Sequence, residues 1–154
     1  MIAKCVQILG LVLALSIVAL TQQTAAPAAP PQANANAFTV NDANEILSRF
    51  REALAAHSQP KLFALLDADR MRGYHSFEDQ IKSYFSRNET IRVNVHSIQA
   101  SGENDKGVIT ATFEVEVTPR YASALRKQAQ LRFQLERSAK GWLIVDINPS
   151  GFFS

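Results

Sequence analysis

The sequence predicts an α+β domain in which N-terminal helices pack on the concave face of a strongly bent antiparallel sheet. Three observations carry this reading. Apolar residues recur every three to four positions from Ile46 to Phe85, as on one face of a helix. From Thr90 onward the period changes to two, the spacing of a strand with one face packed and one face wet. The alternating segments are separated by short turn-like stretches, so they form a meander.

The chain opens with Lys4 ahead of an apolar run, Val6 to Leu20, then Thr21-Gln22-Gln23-Thr24 and a stretch rich in Ala and Pro. The run is shorter than the ~20 residues that span a bilayer comfortably, and its flank is small and polar. Residues 1–26 therefore read as a signal peptide and the protein as secreted or periplasmic; the alternative is an uncleaved N-terminal membrane anchor. Residues 27–37 lack apolar periodicity and read as a disordered Ala/Pro-rich tether, which leaves one domain over residues 38–154. The only cysteine, Cys5, precedes the apolar run, so the mature domain is expected to carry no disulfide and no thiolate chemistry.

Charge narrows the partners. Lys and Arg number 16 against 14 Asp and Glu, and the net charge of +2 falls by one when Lys4 leaves with the leader. Mixed charge near neutrality gives no concentrated basic face for nucleic acid or for an anionic membrane as main partner, and no membrane insertion is expected after cleavage.

Asn41 or Asp42 is placed to cap a first helix whose buried stripe is Ile46, Leu47, Phe50 and Leu54. Ser58-Gln59-Pro60 interrupts the pattern, and Leu62, Phe63, Leu65 and Leu66 make a short second helix with Pro60 in its first turn. After a loop over residues 67–74, Ser76-Phe77-Glu78-Asp79 has capping-box spacing and opens a third helix buried through Phe77, Ile81, Tyr84 and Phe85. Ile91, Val93 and Val95 begin the first strand, and the phase change at Ser97/Ile98 predicts a bulge. Ile109, Ala111, Phe113, Val115 and Val117 line the inner face of the second strand; Ala129, Leu131, Phe133 and Leu135 line that of the third. The last strand, Trp142 to Ile147, is apolar on both faces, which predicts a central or covered position.

This order of elements, closing on Gly141-Trp142-Leu143-Ile144-Val145-Asp146-Ile147-Asn148, resembles the nuclear transport factor 2-like fold, the cone shared by SnoaL-like cyclases and ketosteroid isomerase. The resemblance implies helices and concave sheet enclosing a cavity, and a family of isomerases, dehydratases and binding domains among which fold alone does not choose. The isomerase branch places an Asp base and a Tyr/Asp oxyanion pair on the inner wall. Here the inner wall is aliphatic and aromatic, whereas Glu114, Glu116, Arg132 and Glu136 have outward parity, so no catalytic residue is carried over.

The expected ligand-pocket residues are Phe50, Phe63, Phe113 and Phe133 on the wall and Asp67, Tyr74, His75 and Tyr84 at the mouth. Trp142, Ile144, Phe152 and Phe153 are expected on an outer apolar patch through which the domain pairs as a homodimer or docks on a larger partner. Histidine spacing gives no metal site, and no cofactor motif is present. The functional expectation is a non-catalytic small-molecule-binding or protein-interaction module with a small apolar ligand. Alternatives are a SnoaL-like isomerase, cyclase or hydro-lyase on a small apolar substrate, and an envelope-assembly subunit docking through its outer sheet face.

Overall fold

The computed structural model describes residues 37–154, which lie within one compact unit. The expected leader, and all of the tether except Ala37, lie outside the described residues.

Helix α1, Val40–Ala55, is capped by Thr39, two residues before Asn41 and three before Asp42. Thr39 Oγ1 accepts from the Asp42 amide at 3.2 Å, and the Asp42 carboxylate accepts from the Thr39 amide at 2.8 Å. This reciprocal box uses Asp42 as the third helical residue and satisfies two otherwise orphaned donors. Ala43, Ile46, Leu47, Phe50, Ala53 and Leu54 form the buried face. Helix α2, Gln59–Phe63, carries Pro60 in its first turn, where a missing N–H costs nothing. Helix α3, Tyr74–Arg87, buries Phe77, Ile81, Tyr84 and Phe85 as the spacing predicts, but its cap is Gly73, at φ 71°, not Ser76. The left-handed backbone that glycine tolerates turns the chain into the helix, and the Phe77 amide donates to Gly73 O at 3.0 Å.

Four antiparallel strands follow in sequential order: β1 Asn88–Glu103, β2 Lys106–Pro119, β3 Leu125–Ser138 and β4 Gly141–Asn148. The expected bulge in β1 lies between His96 and Gln99, with Ser97 at φ 53°. The inner faces of β2 and β3 meet in register, Ile109 opposite Phe133 and Ala111 opposite Leu131, and all four are fully buried.

β4 is an edge strand, not a central one. The loop after α2 covers part of its open side: the Asp67 amide donates to Ile144 O and the Ile144 amide to Leu65 O, both at 2.9 Å. This cover satisfies the strand edge and accounts for its second apolar face. Register also shifts within β4, where Leu135 faces Ile144 but Gln134 faces Asp146, leaving Val145 as the extra residue. The bulge reverses the expected parity, so Ile144 points inward and is fully buried whereas Asp146 shares the outer face with Gln134.

Phe38 closes the hairpin end of the sheet. Its ring lies on Gly102 and Gly107, where a Cβ on Gly107 would stand 2.7 Å from Phe38 Cγ, and meets Trp142 edge-on at 4.9 Å. Trp142 is half-buried between Phe38 and the Arg137 guanidinium, 5.7 Å from the ring centre. At the other end of β4 the chain turns at Pro149 into a short 3-10 helix, Ser150–Phe153. That turn carries Phe153 inside. Instead of an outward docking tail, it is a fully buried ring 6.1 Å from Phe50, 6.0 Å from Phe77 and 5.6 Å from Tyr84, with half-buried Phe152 5.0 Å away.

Candidate functional site at the mouth of the cone

The interior between α1, α3 and the sheet is occupied by the chain's own aromatic rings. Phe50 stands edge-on to Phe133 at 5.4 Å and to Phe113 at 6.1 Å, and Phe113 and Phe133 are 5.6 Å apart. With Phe153 as the fourth ring, each is fully buried, so these residues pack on one another as core. Among the described residues, Tyr84 is the one ionisable member of this buried core. Burial pushes its hydroxyl up to about 12, so it remains a neutral phenol across the physiological range.

The polar residues expected at the mouth have separate surroundings. Asp67 caps its own loop, accepting from the Asp69 and Arg70 amides at 3.2 and 3.1 Å and from Arg70 Nε at 2.8 Å. Arg70 continues to Glu136 at 2.6 Å and clasps the loop to β3. The Arg70 guanidinium holds the Asp67 carboxyl below its usual range, so Asp67 is an ionised fastener. Tyr74 begins α3 with its ring 6.2 Å from half-buried Phe63, whereas the His75 side chain is 94% exposed and faces Glu78 at 3.7 Å.

On the outer face the alternating charges form a ladder. Arg126 reaches Glu114 at 3.3 Å and Glu116 at 3.2 Å, Arg92 reaches Glu116 at 3.3 Å, and His96 lies 3.8 Å from Glu114. These are cross-strand pairs on a wet sheet. Among the described residues no group of three or more His, Cys, Asp and Glu side chains could hold a metal ion. No helix among them is long and apolar enough to cross a membrane.

The concavity that does combine an apolar floor with converging polar groups lies between α3 and β4, a pocket of about 320 Å³. One wall is the start of α3 and the turn before it: Met71, Arg72, Gly73, Ser76, Phe77 and Gln80. The other is the end of β4 and the tail: Asp146, Ile147, Asn148 and Ser150. Met71, Phe77 and Ile147 are buried and form the apolar base. Asp146 accepts from Gln134 Nε2 at 3.2 Å, and Arg72 has no carboxylate partner among the described residues. Gln80 Oε1 is buried with no hydrogen-bond partner among the described residues. His57 Nε2 is in the same condition behind the ring of Phe85, 5.2 Å away. The pocket can hold a small amphipathic molecule, with mixed charge at its rim and an apolar base.

None of these pocket residues was among the sequence candidates. Asp146, a single carboxylate in an otherwise apolar strand, and Ser76 with Gln80, four apart on α3, were the available signals.

No family model matches the sequence, and no curated protein sequence matches it. Solved structures do. A nuclear transport factor 2-like superfamily protein from Salmonella enterica superposes with a TM-score of 0.64 at 9% identity, covering 70% of this chain and 86% of that one. A nuclear transport factor 2-like family protein from Streptomyces avermitilis gives 0.63 at 12% identity, covering 70% and 92%. A conserved protein from Planctomyces limnophilus gives 0.62 at 15% identity, covering 68% and 89%. With helices leading into a four-stranded antiparallel meander and these superpositions, the chain has the nuclear transport factor 2-like fold.

Proposed function

We propose that the chain is an exported, non-catalytic module that binds a small amphipathic molecule in the pocket between α3 and β4. The carrying observation is the occupancy of the cone. Phe50, Phe113, Phe133 and Phe153 fill the space in which a cone-shaped domain would enclose a substrate, and the ionisable residue among them is a phenol held neutral. The pocket outside this core supplies what small-molecule recognition requires, an apolar base with a few convergent polar groups.

Native mass spectrometry of the protein purified from its own compartment, followed by denaturation, tests this reading. The expected result is a retained small molecule that the double variant Arg72→Ala/Gln80→Leu loses while its melting temperature holds. Retention by the double variant moves the site elsewhere, and turnover of the released molecule by the protein contradicts the non-catalytic role. An empty protein that captures a macromolecular partner favours an interaction module.

A further inference from the structure

Although the near-neutral net charge argues against an anionic membrane as main partner, we propose that the end of the domain formed by the β2–β3 turn and the C-terminus of α3 is a local, peripheral docking surface for an anionic phospholipid bilayer. Three large apolar side chains are exposed among the described residues, and two of them, Tyr121 at 98% and Leu125 at 53%, stand four residues apart in this turn. Beside them a shallow groove of about 180 Å³ runs over Val117, Pro119 and Leu125, with Arg87 and Lys127 at its rim.

The cations here differ from those on the outer sheet face. Arg92 and Arg126 are neutralised by Glu114 and Glu116. Arg87 donates to Ser83 O at 3.4 Å and Arg120 to Ser86 O at 3.0 Å, and neither pairs with an Asp or Glu side chain among the described residues; Lys127 donates to Ser154 O, on the last residue of the sequence, at 3.0 Å. The exposed acids nearby are Glu89, adjoining in sequence, and Asp79, which lines one groove with Arg87 and Ser154. Holding the last carbonyls of α3 accounts for the contacts of Arg87 and Arg120, since cations favour a helix C-terminus. It does not account for the exposure of Tyr121 and Leu125, which nothing among the described residues covers.

An exposed aromatic ring and aliphatic side chain at a turn, with guanidinium and ammonium groups close by, match an anionic bilayer interface. There rings sit at headgroup level and each cation gains from the negative surface potential. The proposal is independent of the ligand pocket, which lies at the other end of α3.

The compact unit Ala33–Ser154, with a cooperative melt recorded first to establish that it folds alone, is the form to assay. It would be sedimented with vesicles of phosphatidylcholine alone or of equal parts phosphatidylcholine and phosphatidylglycerol. Binding is expected to the phosphatidylglycerol vesicles and to weaken with added salt. Arg87→Gln/Lys127→Gln should lower partitioning by about 30-fold, and Tyr121→Asp by about tenfold. Lys140→Gln, in the β3–β4 turn at the opposite end of β3, should leave it unchanged. Equal partitioning to both vesicle types, or full binding by folded Tyr121→Asp and Arg87→Gln/Lys127→Gln proteins, overturns the proposal. Capture of soluble polyglutamate without vesicle binding also overturns it, in favour of an acidic protein partner.

Discussion

The two faces of β2 and β3 come from alternate residues of the same strands, yet they are built on opposite principles. The inner face is a dry stack in which Ile109, Ala111, Phe113, Leu131 and Phe133 are fully buried, so each contributes through area removed from water and contacts that tolerate little change. The outer face is a ladder of pairs such as Arg126 with Glu114 and Glu116, in which solvent screens each interaction. Stability therefore resides on one side and tolerance on the other. The proposed ligand pocket lies at the rim, where the packed face ends and polar groups converge.

The comparison can be broken most forcefully at Phe153. Phe153→Ala removes a ring that touches Phe50, Phe77 and Tyr84, and chemical denaturation should show a loss of about 3–5 kcal/mol, as for large cavity-forming changes. A loss below about 1 kcal/mol would mean that the tail is a surface appendage.

Alkali should act through Tyr84. The folded protein holds that proton to about 12 against an ordinary 10.0, so stability is intact below pH 10 and falls as pH rises toward 12, by about 2–3 kcal/mol. Tyr84→Phe should remove that component of the alkaline slope in melts recorded across the window. Gly107→Ala places a methyl against the Phe38 ring and should cost about 1–3 kcal/mol in urea unfolding, with Trp142 fluorescence reporting displacement of Phe38.

Acid should act through Asp67 to a smaller extent. Its carboxyl is held below the ordinary 3.8, so its contribution is present above that value and is lost as pH falls through the lowered one. Asp67→Asn should flatten this part of the acid limb of the pH–stability curve. Smallest of all, Glu116→Gln on the outer ladder should change stability by about 0.5 kcal/mol or less, because exposed pairs contribute little.

Much of the fold was legible because burial imposes a period. The stripes of α1 and α3 and the inner face of β2 and β3 follow from spacing alone, and the β1 bulge from one break in alternation at Ser97. What escaped depends on single backbone events. The bulge at Val145 turned Ile144 inward, the turn at Pro149 sent Phe153 into the core, and the left-handed Gly73 started α3 ahead of Ser76. β4 reads as a central strand because the Leu65–Asp67 segment covers its edge, a pairing between distant parts of the chain that no local pattern encodes. The pocket was illegible for the same reason, since Gln80 and Asp146, distant in sequence, line one concavity only in the folded chain.

The central claim, that the chain's own rings fill the cone, is tested most directly by thermal unfolding in benzene-saturated buffer. A small apolar probe stabilises a protein that offers it a dry cavity. The account predicts that the wild-type melting temperature does not move and that Phe153→Ala, with its ring-sized void, is raised. Stabilisation of the wild type would contradict the account and reopen the interior as a ligand site.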